Sequence, residues 1–519
     1  MMKANLRTLC LMACLFLATE VLHAGGPASG AGMSAILPRF DDVQDASLWR
    51  LGGNAAGVRL DTTNISEAFL GGDYSFGDLR GSSEAPTLWT AGASARTLKH
   101  TKKFSMAGTF SFRQFTTYNH CGSMLLYPER YPVDIYEFTP GTKSRQRYAL
   151  SGVVGVDVAP GWVVGAGLGF ESQNCAKLKD LRYTMYYLDF SLTPSVLYRA
   201  GKWVVGASFL YERNTQSVES KRIGENGTEY RAFLEKGNGR GVEGLWTAGN
   251  LLLDVTGVNR FPIDENAFGG ALQLQYGSFL VEGQYRHRAG RIGEKQQVWF
   301  NYTGDEVLLR LALNVRGGHF LRMGLGYTDR RNSEHILENI TSGGVTTTTR
   351  LGTLPVFAER SLSLEPSYYW ISGAWRVDAT GRALFRESLS TQMYPTRYRE
   401  SELDLFARLA GRYTLSPAAV KAPLWDFSLG LSFQRGRFPN LAEDKDVLVV
   451  PDSLGDWYMR DILVRTRPVL GVDASVRCRL KMGLWIDLSV DYRQGFGFSL
   501  LPTATPYRLT SALSVGYSF

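Results

Sequence analysis

Apolar and polar residues alternate with a period of two over much of the chain, most clearly near its end. From Tyr507 the odd positions read Tyr507, Leu509, Ser511, Leu513, Val515, Tyr517 and Phe519, with Arg508, Thr510, Ala512, Ser514, Gly516 and Ser518 between them. Leu484 to Tyr492 and Leu470 to Met482 repeat this on even positions, against Asp487, Ser489 and Asp491 and against Asp473, Ser475 and Arg477. Successive side chains of a strand point to opposite faces, so each stretch predicts a strand with one apolar face. The same pattern recurs at 425–433, 403–413, 375–385, 307–315, 203–211 and 162–170.

Alternation alone does not say whether the apolar faces meet a protein core or lipid. The connections favour lipid. Tight links at 159–161, 200–202, 277–278, 317–318, 373–374 and 482–483 alternate with long polar stretches near 116–146, 172–181, 214–267, 290–299, 331–351, 387–395 and 439–461. A short-long rhythm belongs to transmembrane barrels, whereas a Greek-key sandwich has no reason to keep it. Trp162, Trp203, Trp375, Trp425 and Trp485 near the short turns fit an aromatic girdle. The predicted fold is all-β, a transmembrane antiparallel up-and-down barrel of about eighteen strands with 14 to 20 allowed, since Pro194, Pro366 and Pro468 fall inside long strand patterns.

Composition excludes the competing classes. With 44% hydrophobic and 12% aromatic residues the 519-residue chain is too apolar for disorder, and five Cys are too few for a disulfide scaffold. Lys3 and Arg7, the apolar run from Leu9 to Ala18 and Ala24 before Gly25 predict an export signal over 1–24, ahead of a lipobox at Leu11–Cys14. The expected organisation is a signal peptide (1–24), an N-terminal periplasmic segment or luminal hatch (25–64) and the barrel (65–519). No later run reaches the roughly 18 to 20 apolar residues of a membrane-spanning helix, which leaves strands as the spanning elements.

The terminal strand, with Tyr517 and Phe519 on alternate positions, resembles the C-terminal signal by which the barrel-assembly machinery recognises outer-membrane proteins. The whole chain is similar to uncharacterised outer-membrane barrels of the Bacteroidota. The N-terminal stretch of Asp45-Ala46-Ser47 and Gly52-Gly53-Asn54-Ala55-Ala56-Gly57 resembles the luminal hatch of fatty-acid-transporter-type barrels, with Ala55 where that family has proline and with more strands than that family's fourteen. These resemblances imply a bacterial outer-membrane location, lipid and the assembly machinery as partners, and a hatch built on Asp41, Asp42, Asp45, Asn54 and Gly57.

The polar faces carry the candidate chemistry. Arg376, Arg382, Arg386, Arg408, Arg412, Arg465, Arg467, Arg477, Arg479 and Lys481 share faces with Asp378, Glu402, Asp404 and Asp473. A basic luminal wall follows, either an ion-paired wet surface or an anion-selective one. Cys121 and Cys175 fall in long loops on one side, where an oxidising compartment permits a bridge. No HExxH, GxSxG, P-loop or CxxC occurs. Asp329 with His335 on one loop, and His287 on the lipid face, are weak hydrolase signals, and strict alternation of bases and aromatics argues against nucleic acid. The expectation is a non-enzymatic channel or transport component needing no cofactor, alone or beside a lipoprotein or energised receptor. The alternatives are a barrel hydrolase of lipid or surface peptide, and an adhesive barrel.

Overall fold

The structure is a computed structural model that describes residues 39–49, 52–179, 182–221, 230–246, 261–294, 297–343, 345–391, 397–415, 423–443, 452–480, 482–498, 501 and 503–519. The expected signal peptide and Lys481 lie outside the described residues. The strands are β1 (Ile65–Gly77), β2 (Thr87–His100), β3 (Phe104–Ser123), β4 (Asp134–Ala159), β5 (Trp162–Lys177), β6 (Arg182–Ala200), β7 (Trp203–Lys221), β8 (Tyr230–Glu235), β9 (Arg240–Trp246), β10 (Ile263–Tyr276), β11 (Phe279–Glu294), β12 (Gln297–Val315), β13 (His319–Ser342), β14 (Val345–Ser372), β15 (Trp375–Ser390), β16 (Tyr398–Leu415), β17 (Leu424–Glu443), β18 (Asp452–Ser453), β19 (Val469–Arg479), β20 (Leu484–Gly495) and β21 (Tyr507–Ser518). Two helices, α1 (Phe40–Ala46) and α2 (Asp456–Thr466), and a 3-10 turn at Ala55–Leu60 complete the described elements that matter below.

Eighteen strands close an antiparallel ring. Neighbours in sequence pair throughout, except that β7 pairs β10 and β17 pairs β19, because β8, β9 and β18 leave the wall. Closure is made by β1 against β21, ending on the mutual backbone pair Ser66 and Phe519 at 2.9 Å in both directions. A closed ring leaves no strand edge unpaired, which is what a bilayer interior demands of a sheet.

The apolar faces point outward. Leu513, Leu488, Leu431, Leu409 and Leu272 are each more than half exposed, Leu272 at 71%. A soluble monomer rarely exposes an apolar patch beyond a few hundred Å², so a belt of this kind around a closed ring is a lipid-facing surface. At the turn end it finishes in aromatic pairs on adjacent strands, Trp162 with Tyr198, Trp203 with Tyr276 and Trp375 with Tyr413, with ring centroids 4.7, 4.6 and 4.6 Å apart. Trp485 departs from the expected girdle. It is buried on the luminal side, where Arg477 lies 4.1 Å over its ring.

Several stretches expected as loops are strand. β11 and β12 continue to Glu294 and from Gln297, and β13 and β14 stay paired to Ser342 and Val345. Their apolar residues, Ile292, Trp299 and Phe300 buried inside and Ile336, Ile340 and Leu351 exposed, are scattered among polar ones instead of alternating as on a lipid-facing strand, but backbone ladders satisfy these extensions all the same. The prolines thin the ladder on one side only: pairing of β6 with β7 skips Pro194, and that of β14 with β15 skips Pro366, while the other neighbour stays in register. Pro468 falls between α2 and β19.

Candidate functional site

The lumen holds three layers, and the lowest is the N-terminal segment. Its side chains and backbone reach the wall all round the ring. Asp41 pairs with Arg96 on β2, Asp42 with Arg376 on β15 and Arg412 on β16, and Asp45 with Arg376. Asn314 on β12 donates to the Ala46 carbonyl, and Arg322 on β13 to that of Asp45. The Gly53 N–H donates to Glu282 on β11, and Asn54 donates to the Val196 carbonyl on β6 and to Gln273 on β10. Arg59 pairs with Asp157 on β4. A segment bonded to strands on every side lies inside the barrel, at the end with the short turns and the chain's own C-terminus.

Local chemistry explains how so short a segment holds its shape. The Asn54 side chain accepts from the Ala56 N–H and starts the 3-10 turn. Phe40, Trp49, Ala56 and Val58 are buried against inward-facing wall residues, among them Leu98, Val163, Leu197 and Leu280. Gly165 and Gly206 on the wall let the segment approach: an added Cβ would sit 2.4 Å from the Ala56 nitrogen and 2.6 Å from the Asn54 amide nitrogen. Gly57 has its own reason, since a Cβ there would lie 2.8 Å from Trp49. Burial alone would favour the neutral Asp42 carboxyl, but Arg412 and Arg376 outweigh it and hold the group below the usual carboxylate range.

Above this layer is a chamber of about 1300 Å³. Its lining is acidic: Glu129, Asp134, Glu171, Asp189, Glu212, Glu235, Glu306, Glu359, Glu400, Glu402 and Asp461 outnumber Arg130, Arg286, Arg288, Arg330, Arg386 and Arg465. The arginines are committed to carboxylates, Arg130 to Glu212, Glu265 and Asp189, Arg286 to Glu212 and Glu306, Arg288 to Glu265 and Glu306, and Arg465 to Glu402. Tyr127, Tyr131, Tyr136, Tyr187 and Tyr458 supply the aromatic surface.

The top layer is folded inward from the loop end. Residues 124–133 between β3 and β4 bury Met124, Leu125, Leu126, Tyr131 and Val133 against Tyr183, Met185, Phe300 and Tyr302 of the wall. The β8–β9 hairpin joins β4 through its residues 134–137 and takes β18 on its other edge. Helix α2 packs beside it, tied by Asp461 to the Ser82 backbone at 2.6 Å and by Tyr458 to Glu400. Glu235 on β8 accepts from the N–H groups of Gly237 and Gly239. Burial first, and the nearby Asp134 charge second, push its carboxyl up to about 8.

With this architecture in view, the comparisons assign the family. The chain belongs to a family of unknown function, DUF6850, whose model matches residues 55–519. No curated protein matches it. Among solved structures it is similar to the FrpB iron transporter from Neisseria meningitidis (11% identity, 88% of this chain and 81% of that one, TM-score 0.41). It is also similar to BauA, the ferric preacinetobactin receptor from Acinetobacter baumannii (9%, 88% and 79%, 0.39), and to the outer membrane protein OpdK from Pseudomonas aeruginosa (10%, 88% and 99%, 0.33).

The expected basic wall is dispersed and neutralised. Arg382 pairs with Asp404 at 2.8 Å, Arg408 with Asp473 at 2.7 Å, Arg477 with Asp487 at 2.7 Å and Arg479 with Asp426 at 2.9 Å, while Arg376 and Arg412 hold the N-terminal segment. Arg386 faces Glu359 at 3.5 Å. Arg465 is not on a strand but in α2, and Arg467 is that helix's C-cap, because the polar run before Pro468 folds into the lumen instead of continuing the wall. Tyr517 and Phe519 stack at 5.8 Å on the outer surface.

Two further expectations are corrected. Cys121 and Cys175 are free thiols. They sit on β3 and β5 with β4 between, at least about two strand spacings or 9 to 10 Å apart, and offset along the strands as well, since Cys175 opposes Arg145 and Arg145 opposes Phe115, so they are beyond disulfide reach. Asp329 and His335 are on strand β13, not a loop, and a bulge at Asn332/Ser333 turns them to opposite faces: Asp329 is held by Arg331 and Arg360 outside, whereas His335 is buried against Asn301. His287 pairs with Asp305 at 2.8 Å on the outer surface, and among the described residues no hydroxyl partners its other nitrogen.

Sequence reasoning missed the acidic chamber because its carboxylates come from β4 to β16 and from three elements outside the wall. A signal was present in the register of the inner faces, where Glu171 opposes Asp189 and Arg286 opposes Glu306.

Proposed function

We propose that this protein is an outer-membrane transport barrel that holds its solute in a chamber closed at both ends, and that residues 39–60 are the movable closure at the turn end. The observation that carries the reading is the charged, tyrosine-lined chamber under the inward-folded loop layer, in a lumen whose turn end is crossed by the N-terminal segment. A purely structural barrel has no use for a large chamber lined by charge and tyrosine, since burying such groups without a ligand costs stability.

The closure is built to be released. It is one short segment held by ion pairs, side-chain hydrogen bonds and a few buried apolar side chains, with no strand pairing to the wall, so it can leave without disturbing the backbone ladders of the ring. In this reading the turn end faces the periplasm. A lipoprotein or energised partner there would pull the segment, and bilayer lipid and the barrel-assembly machinery are the other partners. Liposome swelling tests it: the native chain should admit small solutes slowly, and a chain lacking residues 39–60 should admit them at porin-like rates. Rapid swelling by the native chain would refute a closed barrel.

A further inference from the structure

We propose that the Asp134–Glu235 end of the chamber recognises a protonated amine on the transported solute. The inference rests on the transport reading and names the chemistry of that chamber's ligand.

Asp134 and Glu235 are register partners where β4 pairs with β8, and both line the chamber. Like charges directly opposite one another across an antiparallel pair repel, and side chains there are only about 4.5 to 5.5 Å apart at Cβ. Among the described residues neither carboxylate is in an ion pair, and the nearest cation to act on Asp134, Lys143, does so from a distance. Glu235 is held by two backbone N–H groups, and Asp134 by the Ser123 hydroxyl at 2.8 Å and the Ile135 N–H at 2.6 Å through one oxygen only. The second oxygen, Oδ2 of Asp134, is buried without a hydrogen-bond partner in a residue only 4% exposed. A buried carboxylate oxygen without a donor is a vacancy for one, because leaving it unpaired forfeits the hydration it would have in water.

Lys143 and then Asp461 act electrostatically on Asp134 with opposite signs, while Glu400 adds to the negative charge around Glu235. The nearest bases have other partners: Lys143 pairs with Glu137 at 3.4 Å, and Arg465 with Glu402 at 2.8 Å. Among the described residues no group of three or more His, Cys, Asp or Glu is arranged to hold a metal ion, which turns the choice toward an organic cation. Tyr136 and Tyr458 also line the chamber, and tyrosine rings attract an ammonium. An ammonium would donate to Asp134 Oδ2 and to Glu235 while relieving their mutual repulsion.

The test is calorimetric titration of the full chain in detergent near pH 8.5, where both carboxyls are mostly ionised and alkylamines remain protonated. The probes are 1,4-diaminobutane and spermidine, with 1,4-butanediol and succinate as neutral and anionic counterparts. The two amines should bind and the diol and diacid should not. Asp134→Asn and Glu235→Gln, each near-isosteric, should weaken amine binding at least about tenfold, with gel mobility shifts on heating reporting that the barrel is folded. Absence of amine binding, equal binding of the diol or succinate, or unchanged amine affinity in either folded variant would overturn the proposal. If neither variant folds, the comparison of probes on the native chain still decides. Amine binding that the variants abolish, without amine flux across liposomes, would instead refute the transport reading and leave the site standing.

Discussion

Gly165 on the barrel wall and Ala56 in the N-terminal segment are packed so closely that a Cβ on the glycine would lie 2.4 Å from the alanine nitrogen, a backbone atom that cannot yield like a side-chain tip. The same Ala56 N–H donates to Ser195 on the next strand at 2.9 Å. Gly165→Val should therefore displace the segment while sparing the wall, whose outward neighbours Val164 and Ala166 are unchanged. The expected result is a folded barrel in which a protease cuts within 39–60. Unaltered protection of that segment would show that the contact does not hold it.

Asp42 is clamped between Arg376 and Arg412 at 2.5 and 2.6 Å, with its side chain about one-tenth exposed. Removing one member of such a set leaves buried charge uncompensated, at a typical cost of about 3 to 5 kcal/mol. Asp42→Asn should loosen the segment and raise its exchange rate with solvent deuterium, and Arg412→Gln should do so less, because Arg376 still reaches the carboxylate. Hydrogen exchange of α1 in the two variants checks the order.

The outer belt gives a test of the faces. Val472 is exposed on β19 opposite Leu431 and Tyr492, and Ser475 turns inward to the Ser428 hydroxyl at 2.5 Å. Val472→Arg should cost about 2 to 4 kcal/mol near the bilayer midplane. Ser475→Arg should cost about 1 kcal/mol, the worth of one hydrogen bond. Refolding titrations that give equal penalties would mean the faces are misassigned.

The β8–β9 hairpin carries a pH signature. Glu235 has its carboxyl raised to about 8, whereas an unfolded glutamate titrates near 4.3. Between those values the folded chain holds a proton that the unfolded chain has lost, so this group's contribution is complete below about pH 4 and is lost as pH rises through about 8. Glu235→Gln keeps the acceptor for Gly237 and Gly239 and removes the charge. Its melting temperature in detergent should match the native value near pH 5 and exceed it near pH 9; no gain at the higher pH would contradict the assignment.

How much of this was legible in the sequence follows from what alternation encodes. The eighteen-strand ring and its outward apolar faces were readable because lipid imposes one face on every spanning strand, as at Leu484–Tyr492 and Tyr507–Phe519. The strand extensions at 290–299 and 331–351 were not, since their apolar residues, such as Ile292, Trp299, Ile336 and Ile340, do not fall into the regular alternation that lipid imposes. The helix at Asp456–Thr466 was not read because it straddles the join between a stretch expected as loop, 439–461, and residues up to Arg467 expected on a strand. Charge pairing across the lumen was visible only as shared faces: Asp42 and Arg376 lie 334 positions apart, and only closure of the ring brings them together.

Single-channel conductance in planar bilayers, native chain against a chain lacking residues 39–60, tests the central claim most directly. The account expects a low or closed level for the native protein and a large, steady conductance for the folded deletion, with an intermediate, salt-enhanced rise for Asp41→Asn combined with Asp42→Asn as screening weakens the remaining ion pairs. An unchanged conductance in a deletion shown to be folded would contradict it, and would mean that the segment inside the ring does not close the path.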